Sequence, residues 1–178
     1  MKELPKNLAA YEFRRQIKGD EDYKNTWHLT TVNQEDSFTP QLTLDNKPEK
    51  SDFQWSQFFK NENPVEIEIG SGKGGFAVEY AQIRPEINVL GSEWDTKCAR
   101  YAGSRIHKHD IENAVMLHGD LFYFLRDFVP NNSVSAYHMY FPDPWPKKKQ
   151  RKKRLMKVEL LTEMLRATQP GLDAKFYW

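Results

Sequence analysis

The sequence predicts an α/β protein built on a doubly wound, mostly parallel sheet. Two observations carry this prediction. From residue 64 onward, short apolar segments alternate with longer amphipathic ones, and the first apolar segment runs directly into a glycine-rich turn. Alternating strands and helices form parallel sheets covered on both faces, because a crossover helix must join strands that run the same way. A chain of 178 residues is long enough for one such domain with an appendage.

The strands are predicted from short apolar segments between residues that interrupt regular structure. Val65–Ile69 lies between Pro64 and Gly70, which predicts the first strand. Further strands are predicted at residues 88–93, 113–118 and 134–141. A fifth begins at Leu172 and leads into nothing further, so we expect the sheet to be truncated at its C-terminal end.

The helices are predicted from longer amphipathic segments. They span residues 74–83, 96–108, 121–128 and 155–167. Pro85, Pro130 and the pair Pro170-Gly171 follow the first, third and fourth of these segments, where such residues end a helix. The segment at 155–167 places Leu155, Val158, Leu161 and Leu165 at helical spacing.

The first 63 residues differ in composition from the rest. They are polar, contain several prolines and show no sustained helical or strand period. We therefore predict a partly irregular N-terminal extension at 1–63, with short helical patterns near 8–17 and 53–60, and a main domain at 64–178.

Composition excludes several classes of protein. The chain has one cysteine, Cys98, which rules out a disulfide framework and a multi-cysteine zinc site. It has no apolar run of about 18 residues and no apolar segment of a secretion signal near Met1. We expect a soluble cytoplasmic protein without a metal ion or a membrane partner.

Positive charge is concentrated in one segment. Lys and Arg number 26 and Asp and Glu 25, but residues 147–157 hold eight of the cations and no anion. The remaining residues carry 18 basic against 25 acidic side chains, a net charge of −7. This basic run predicts a polyanion-binding surface. A solvated loop and a nuclear-import signal are the alternatives.

The glycine-rich turn predicts a nucleotide site. Residues 70–75 satisfy G-x-G-x-x-G, in which Gly70 and Gly72 allow a sharp turn and close approach of a cofactor. Glu93 ends the next predicted strand, about 20 residues on, where a carboxylate accepts ribose hydroxyls. No Lys-Ser/Thr pair follows at the spacing of a Walker loop.

Two further carboxylates favour S-adenosylmethionine over NAD. Glu68 lies two residues before Gly70, where it would repel a pyrophosphate but attract an ammonium group. Asp120 follows the third predicted strand and supplies an acceptor for an adenine amino group. The alternative for any one of these residues is a helix N-cap or a surface carboxylate.

The segment after the fourth strand predicts a pocket for a planar base. Residues 141–146 read Phe-Pro-Asp-Pro-Trp-Pro, so Asp143 and Trp145 lie on a proline-stiffened loop. An acid can bond a heterocycle's edge while an aromatic ring stacks on its face. The basic run follows at once, and its cations can neutralise phosphates. This order of features is typical of an enzyme that acts on nucleic acid.

Together these residues resemble the tRNA (guanine-N7)-methyltransferase family. The resemblance rests on Glu68-Ile69-Gly70-Ser71-Gly72, Glu93, Asp120 and above all the FPDPWPKK segment that begins at Phe141, and it covers residues 64–178. It implies a Rossmann-like class I methyltransferase fold and methyl transfer from S-adenosylmethionine to N7 of a guanine in tRNA.

The resemblance also assigns residues. The residues expected to bind the cofactor are Glu68, Gly70, Gly72, Glu93, Asp120 and Asp143, and Asp143 is also the expected catalytic residue. The residues expected to contact the substrate are Trp145, Lys147, Lys149, Arg151, Lys152, Lys153 and Arg154. Another class I methyltransferase and a non-catalytic RNA-binding module are the alternative functions.

Overall fold

A computed structural model of the chain describes residues 53–141 and 157–171 with their side chains, except for the side chain of Gln57. It also describes the backbone of residues 10–15, 27–32, 38–44 and 175–177. These residues form a sheet flanked by helices. The predictions for residues 142–156, which include the Asp143 segment and most of the basic run, lie outside the described residues.

The five predicted strands are confirmed. They are β4 (Val65–Ile69), β5 (Asn88–Glu93), β6 (Ala114–His118), β7 (Ala136–Tyr140) and β8 (Lys175–Tyr177). Neighbouring strands run parallel in the order β6-β5-β4-β7-β8. Chain order reverses between β4 and β7, and this is the place where open α/β sheets bind ligands.

The predicted helix near residues 8–17 is wrong. Ala10–Arg15 is a strand, β1, that pairs parallel with β6 and antiparallel with β2 (Trp27–Val32). A third strand, β3 (Phe38–Leu44), pairs antiparallel with β2. Hydrogen bonds to the otherwise open edge of β6 outweigh a weak local helical preference. The sheet thus extends into the segment that sequence analysis assigned to an extension.

The four predicted helices are confirmed with small changes at their ends. They are α1 (Gly75–Ile83), α2 (Thr96–Lys108), α3 (Leu121–Asp127) and α4 (Val158–Ala167). The pattern near 53–60 forms only a single 3₁₀ turn at Trp55–Gln57. Within the described ranges, no helix is both long and apolar enough to cross a bilayer.

The helices cover both faces of the sheet. On one face, α1 and α2 bury Ala77, Val78 and Ile106 against Val89 and Met116. The opposite face holds a larger core, which joins α3 and α4 to the aromatic residues that precede β4; its members include Phe53, Phe59, Phe124, Ile67 and Met164. The doubly wound arrangement places the carboxyl ends of β4 to β7 at one edge.

Candidate functional site

Backbone hydrogen bonds join the loops at the carboxyl edge of the sheet. The Gly70 N–H donates to Ser92 O at 2.9 Å, and the Gly119 N–H donates to Glu93 O at 3.0 Å. The Gly72 N–H donates to the Glu93 side chain, with 2.7 Å between N and Oε2. The loops after β4, β5 and β6 are therefore one connected structure, and Gly70, Gly72 and Glu93 lie together as the sequence indicated.

The glycines of the turn have different structural roles. Gly70, Gly72 and Gly74 have φ angles of 76°, 52° and 71°, in the region that favours glycine. A Cβ on Gly72 would meet no atom of the described residues within 4 Å, so the backbone there borders space that those residues leave open. A Cβ on Gly74 would lie 2.6 Å from Ala102 Cβ. Gly74 thus permits the close approach of α1 and α2.

Glu93 is held in place by the two loops beside it. Its Oε2 accepts the Gly72 N–H, and its Oε1 accepts the Asp95 N–H at 2.8 Å. The side chain is half-buried, so it has a fixed orientation and a face toward solvent. Each carboxylate oxygen can accept more than one hydrogen bond, which leaves acceptor sites for a ligand.

Glu68 is a buried carboxylate with an unsatisfied oxygen. The residue is 5% exposed, and no hydrogen-bond partner reaches its Oε2 within the described part of the chain. Burial raises the pKa of Glu68 to about 7, although hydrogen bonds from Ser71 and from the Ala77 backbone oppose the rise. The charge of Glu93 pushes the pKa of Glu68 in the same direction as burial. A cation near Oε2 would offset this cost of ionisation.

Asp120 lies at the same edge and caps a helix. Its Oδ1 accepts the Phe122 N–H at 3.0 Å at the start of α3. Asp120 is therefore a helix N-cap, which was the alternative interpretation of this residue. Asp120 directly follows Gly119, whose backbone N–H donates a hydrogen bond to Glu93 O. The role of Asp120 toward a ligand stays a prediction.

The remaining predicted site residues belong to 142–156, which lie outside the described residues: Asp143, Trp145, Lys147, Lys149, Arg151, Lys152, Lys153 and Arg154. The chain approaches this segment from the same edge, since β7 ends at Tyr140. Phe141 follows with a φ of 48° and is 79% exposed. A bulky residue rarely adopts this conformation.

Sequence reasoning overlooked several residues at this edge. Trp94, directly after Glu93, is 71% exposed. The His118 ring lies 3.0 Å from Trp94 O and 3.1 Å from Thr96 Oγ1, so it links the end of β6 to the turn after β5. The sequence did contain a signal for Trp94, because this aromatic residue directly follows Glu93 at the end of a predicted strand. Within the described ranges, no group of His, Cys, Asp and Glu could hold a metal ion.

Comparisons with known proteins agree with this geometry. Residues 62–173 match the model of a family described as "Putative methyltransferase". The tRNA (guanine-N(7)-)-methyltransferase of Rhodopirellula baltica is 39% identical over 124 residues, which are 67% of this chain and 46% of that protein. The enzyme of the same name from Vibrio cholerae is 35% identical over 127 residues, 71% of this chain and 52% of that protein. The chain thus spans about half the length of these curated relatives.

A solved structure has the same fold. The 30S ribosomal A1408 methyltransferase from an uncultured bacterium superposes with a TM-score of 0.53 and 15% identity, covering 79% of this chain and 62% of that one. At this identity the likeness concerns the fold alone, and it confirms the predicted class I methyltransferase architecture.

Proposed function

Because this chain belongs to the methyltransferase family that matches residues 62–173, we propose that it transfers a methyl group from S-adenosylmethionine to N7 of a guanine in tRNA. The relatives that carry this activity in their names support the choice of substrate. The proposed substrate also implies a cytoplasmic protein. The observation that carries the proposal is the buried carboxylate of Glu68 beside the glycine turn.

The residues at the carboxyl edge fit a cationic adenosine cofactor. The unsatisfied Glu68 Oε2 suits a donor such as an α-ammonium group, and a positive charge there would favour the ionised carboxylate. The open space beside Gly72 allows a ligand to approach the backbone. Glu93, held by two backbone N–H groups, would accept ribose hydroxyls with its remaining acceptor capacity. A pyrophosphate would place negative charge close to Glu68, which disfavours NAD.

The bound cofactor would supply an electrophilic methyl group on a sulfonium. Guanine N7 carries an in-plane lone pair, so no proton has to be removed before it attacks. The residues of the chain then act mainly by positioning, which holds the two reacting atoms about 3 Å apart and in line. A general base is unnecessary for this step.

The segment after β7 is proposed to bind the substrate. Asp143 would accept hydrogen bonds from the N1 and N2 edge of guanine and stabilise the positive charge that develops on the base. Trp145 would stack on the base, and Lys147 would contact the substrate. The rest of the basic run would neutralise tRNA phosphates; these residues are Lys149, Arg151, Lys152, Lys153 and Arg154.

Methyl transfer to unmodified tRNA tests the proposal. The chain is incubated with S-adenosylmethionine labelled on the methyl group, and the tRNA is digested and its nucleosides are separated. We expect the label in 7-methylguanosine. Label in another nucleoside would indicate a different class I methyltransferase, and cofactor binding without transfer to any RNA would contradict the proposed activity of this chain.

A further inference from the structure

A partly buried hydrogen-bond network, centred on the buried His138, lies beside the candidate site on the face of the sheet that α1 covers. His138 is 3% exposed, and its Nε2 hydrogen-bonds to Glu66 Oε2. The same oxygen accepts the Tyr80 hydroxyl at 3.0 Å. On the other side of the ring, His138 Nδ1 lies 3.3 Å from Tyr140 Oη. The network therefore runs from β4 and α1 through His138 to the last residue of β7.

The sheet register connects this network to the candidate site. His138 is the cross-strand partner of Glu68, so the two side chains project from the same face. The ring of Phe76 in α1 packs against the network, with its centroid 4.6 Å from that of Tyr140 and 4.9 Å from that of His138. Tyr140 is thus held by a hydrogen bond and by ring contact.

The hydrogen-bond partners of Glu66 favour its ionised form. Burial tends to raise the pKa of Glu66, but hydrogen bonds from His138 and Tyr80 outweigh it and lower that pKa. An ionised Glu66 only accepts, so His138 Nε2 carries the proton and donates it. A hydroxyl group both donates and accepts, so Tyr140 Oη can pair with Nδ1 whether or not that nitrogen carries a proton. The contacts on the two sides of the ring are therefore compatible with each other.

We infer that His138 and Tyr140 are positioning residues that fix the carboxyl end of β7 for methyl transfer. Phe141 follows Tyr140 directly and has a φ of 48°, a conformation that persists only where its surroundings hold it. Asp143, the proposed catalytic residue, is two residues further along the chain. Anchoring Tyr140 through His138 to Glu66 therefore restricts the start of the segment that binds guanine. The expected effect on kcat rests on the proposed function, because kcat is measured for methyl transfer to tRNA.

The test compares two tyrosine variants on the same strand. Tyr140→Phe removes the hydroxyl that bonds to His138 and keeps the ring against Phe76. Tyr137→Phe is the matched control: Tyr137 is fully buried in the opposite core, and its hydroxyl has no partner among the described residues. We expect Tyr140→Phe to lower kcat about five- to tenfold, as the loss of one hydrogen bond would. Cofactor affinity should stay within about twofold, and Tyr137→Phe should change kcat by less than about twofold.

A double-variant cycle separates positioning from general weakening of the structure. His138→Phe removes both ring nitrogens and keeps an aromatic side chain, so adding Tyr140→Phe to it should cause little further loss of kcat. Equal kcat for the Tyr140→Phe and Tyr137→Phe variants would overturn the inference, whether or not the His138 variant folds.

Amide hydrogen exchange at Tyr140 and Phe141 provides a readout that needs no tRNA. Exchange should be faster in Tyr140→Phe than in the wild type and unchanged in Tyr137→Phe. If the wild type transfers no methyl group to tRNA, the proposed function fails, and exchange still decides whether His138 anchors the end of β7. Identical exchange in all three proteins would overturn the inference alone.

Discussion

The raised pKa of Glu68 predicts that cofactor affinity depends on pH. With a pKa of about 7, the carboxyl group is mostly protonated at pH 5.5 in the free protein. A cation bound at Oε2 requires the ionised form, so binding should release a proton. For full ionisation in the complex, the dissociation constant for S-adenosylmethionine should fall about fifteenfold between pH 5.5 and pH 7.

Isothermal titration calorimetry measures both parts of this prediction. Titrations in two buffers of different ionisation enthalpy should report the release of about 0.9 proton per cofactor at pH 6 and about half a proton at pH 7. The Glu68→Gln variant keeps the shape of the side chain and cannot ionise. It should bind more weakly than the wild type at pH 7, with no proton release from this site. Proton release that is the same in Glu68→Gln as in the wild type would refute the reasoning.

The same pKa shift affects the stability of the free protein. The folded-state pKa of Glu68 lies above the ordinary value of 4.5, so the protonated form is favoured by folding. The stability that this group contributes is present below pH 4.5 and is lost as pH rises through about 7, by about 3 kcal/mol in total. Glu68→Gln should therefore show a smaller fall in the free energy of unfolding over this range, measured by urea denaturation.

Three further predictions concern the glycine turn and the segment after β7 that is proposed to bind the substrate. Asp143→Ala should lower kcat at least about a hundredfold with little change in cofactor affinity, and near wild-type turnover would exclude its assigned role. Neutralising part of the basic run should reduce the salt dependence of tRNA binding by about 0.7 to 0.9 in log–log slope for each phosphate that the protein no longer neutralises, and an unchanged slope would favour a solvated loop. The variant carries alanine at Lys149, Arg151 and Lys152. Gly74→Ala should destabilise the fold by about 3 kcal/mol in urea denaturation, because its Cβ would clash with α2 at a positive φ. Gly75→Ala, where a Cβ would meet no atom of the described residues within 4 Å, is the control and should be neutral or slightly stabilising.

Much of the fold was readable from the sequence because local signals agreed with the tertiary structure. Strands β4 to β6 are largely buried segments, of which β4 and β6 end directly before glycines and β5 ends at Glu93. The helices α2 and α3 follow the N-cap residues Asp95 and Asp120. These patterns are local, so they predict element type well. The carboxyl edge followed from the parallel topology, which brought Gly70, Gly72 and Glu93 together as expected.

What the sequence did not predict depends on long-range contacts. Strand β1 forms because β6 offers an edge about a hundred residues further along the chain, which no local pattern records. The packing role of Gly74 is not visible in the sequence, because only the crossing of α1 and α2 brings Ala102 near it. The link between Glu66 and His138 likewise joins residues 72 positions apart, and the alternation of β7 indicates only that His138 faces a core.

Selectivity between two adenosine cofactors tests most directly whether Glu68 and Glu93 form a site for a cationic donor. Calorimetry of the wild-type chain at about pH 7.5 should detect binding of S-adenosylmethionine and none of NAD at the same concentration, since the pyrophosphate of NAD would lie against the Glu68 carboxylate. Equal or tighter binding of NAD would contradict the assignment of this edge to S-adenosylmethionine.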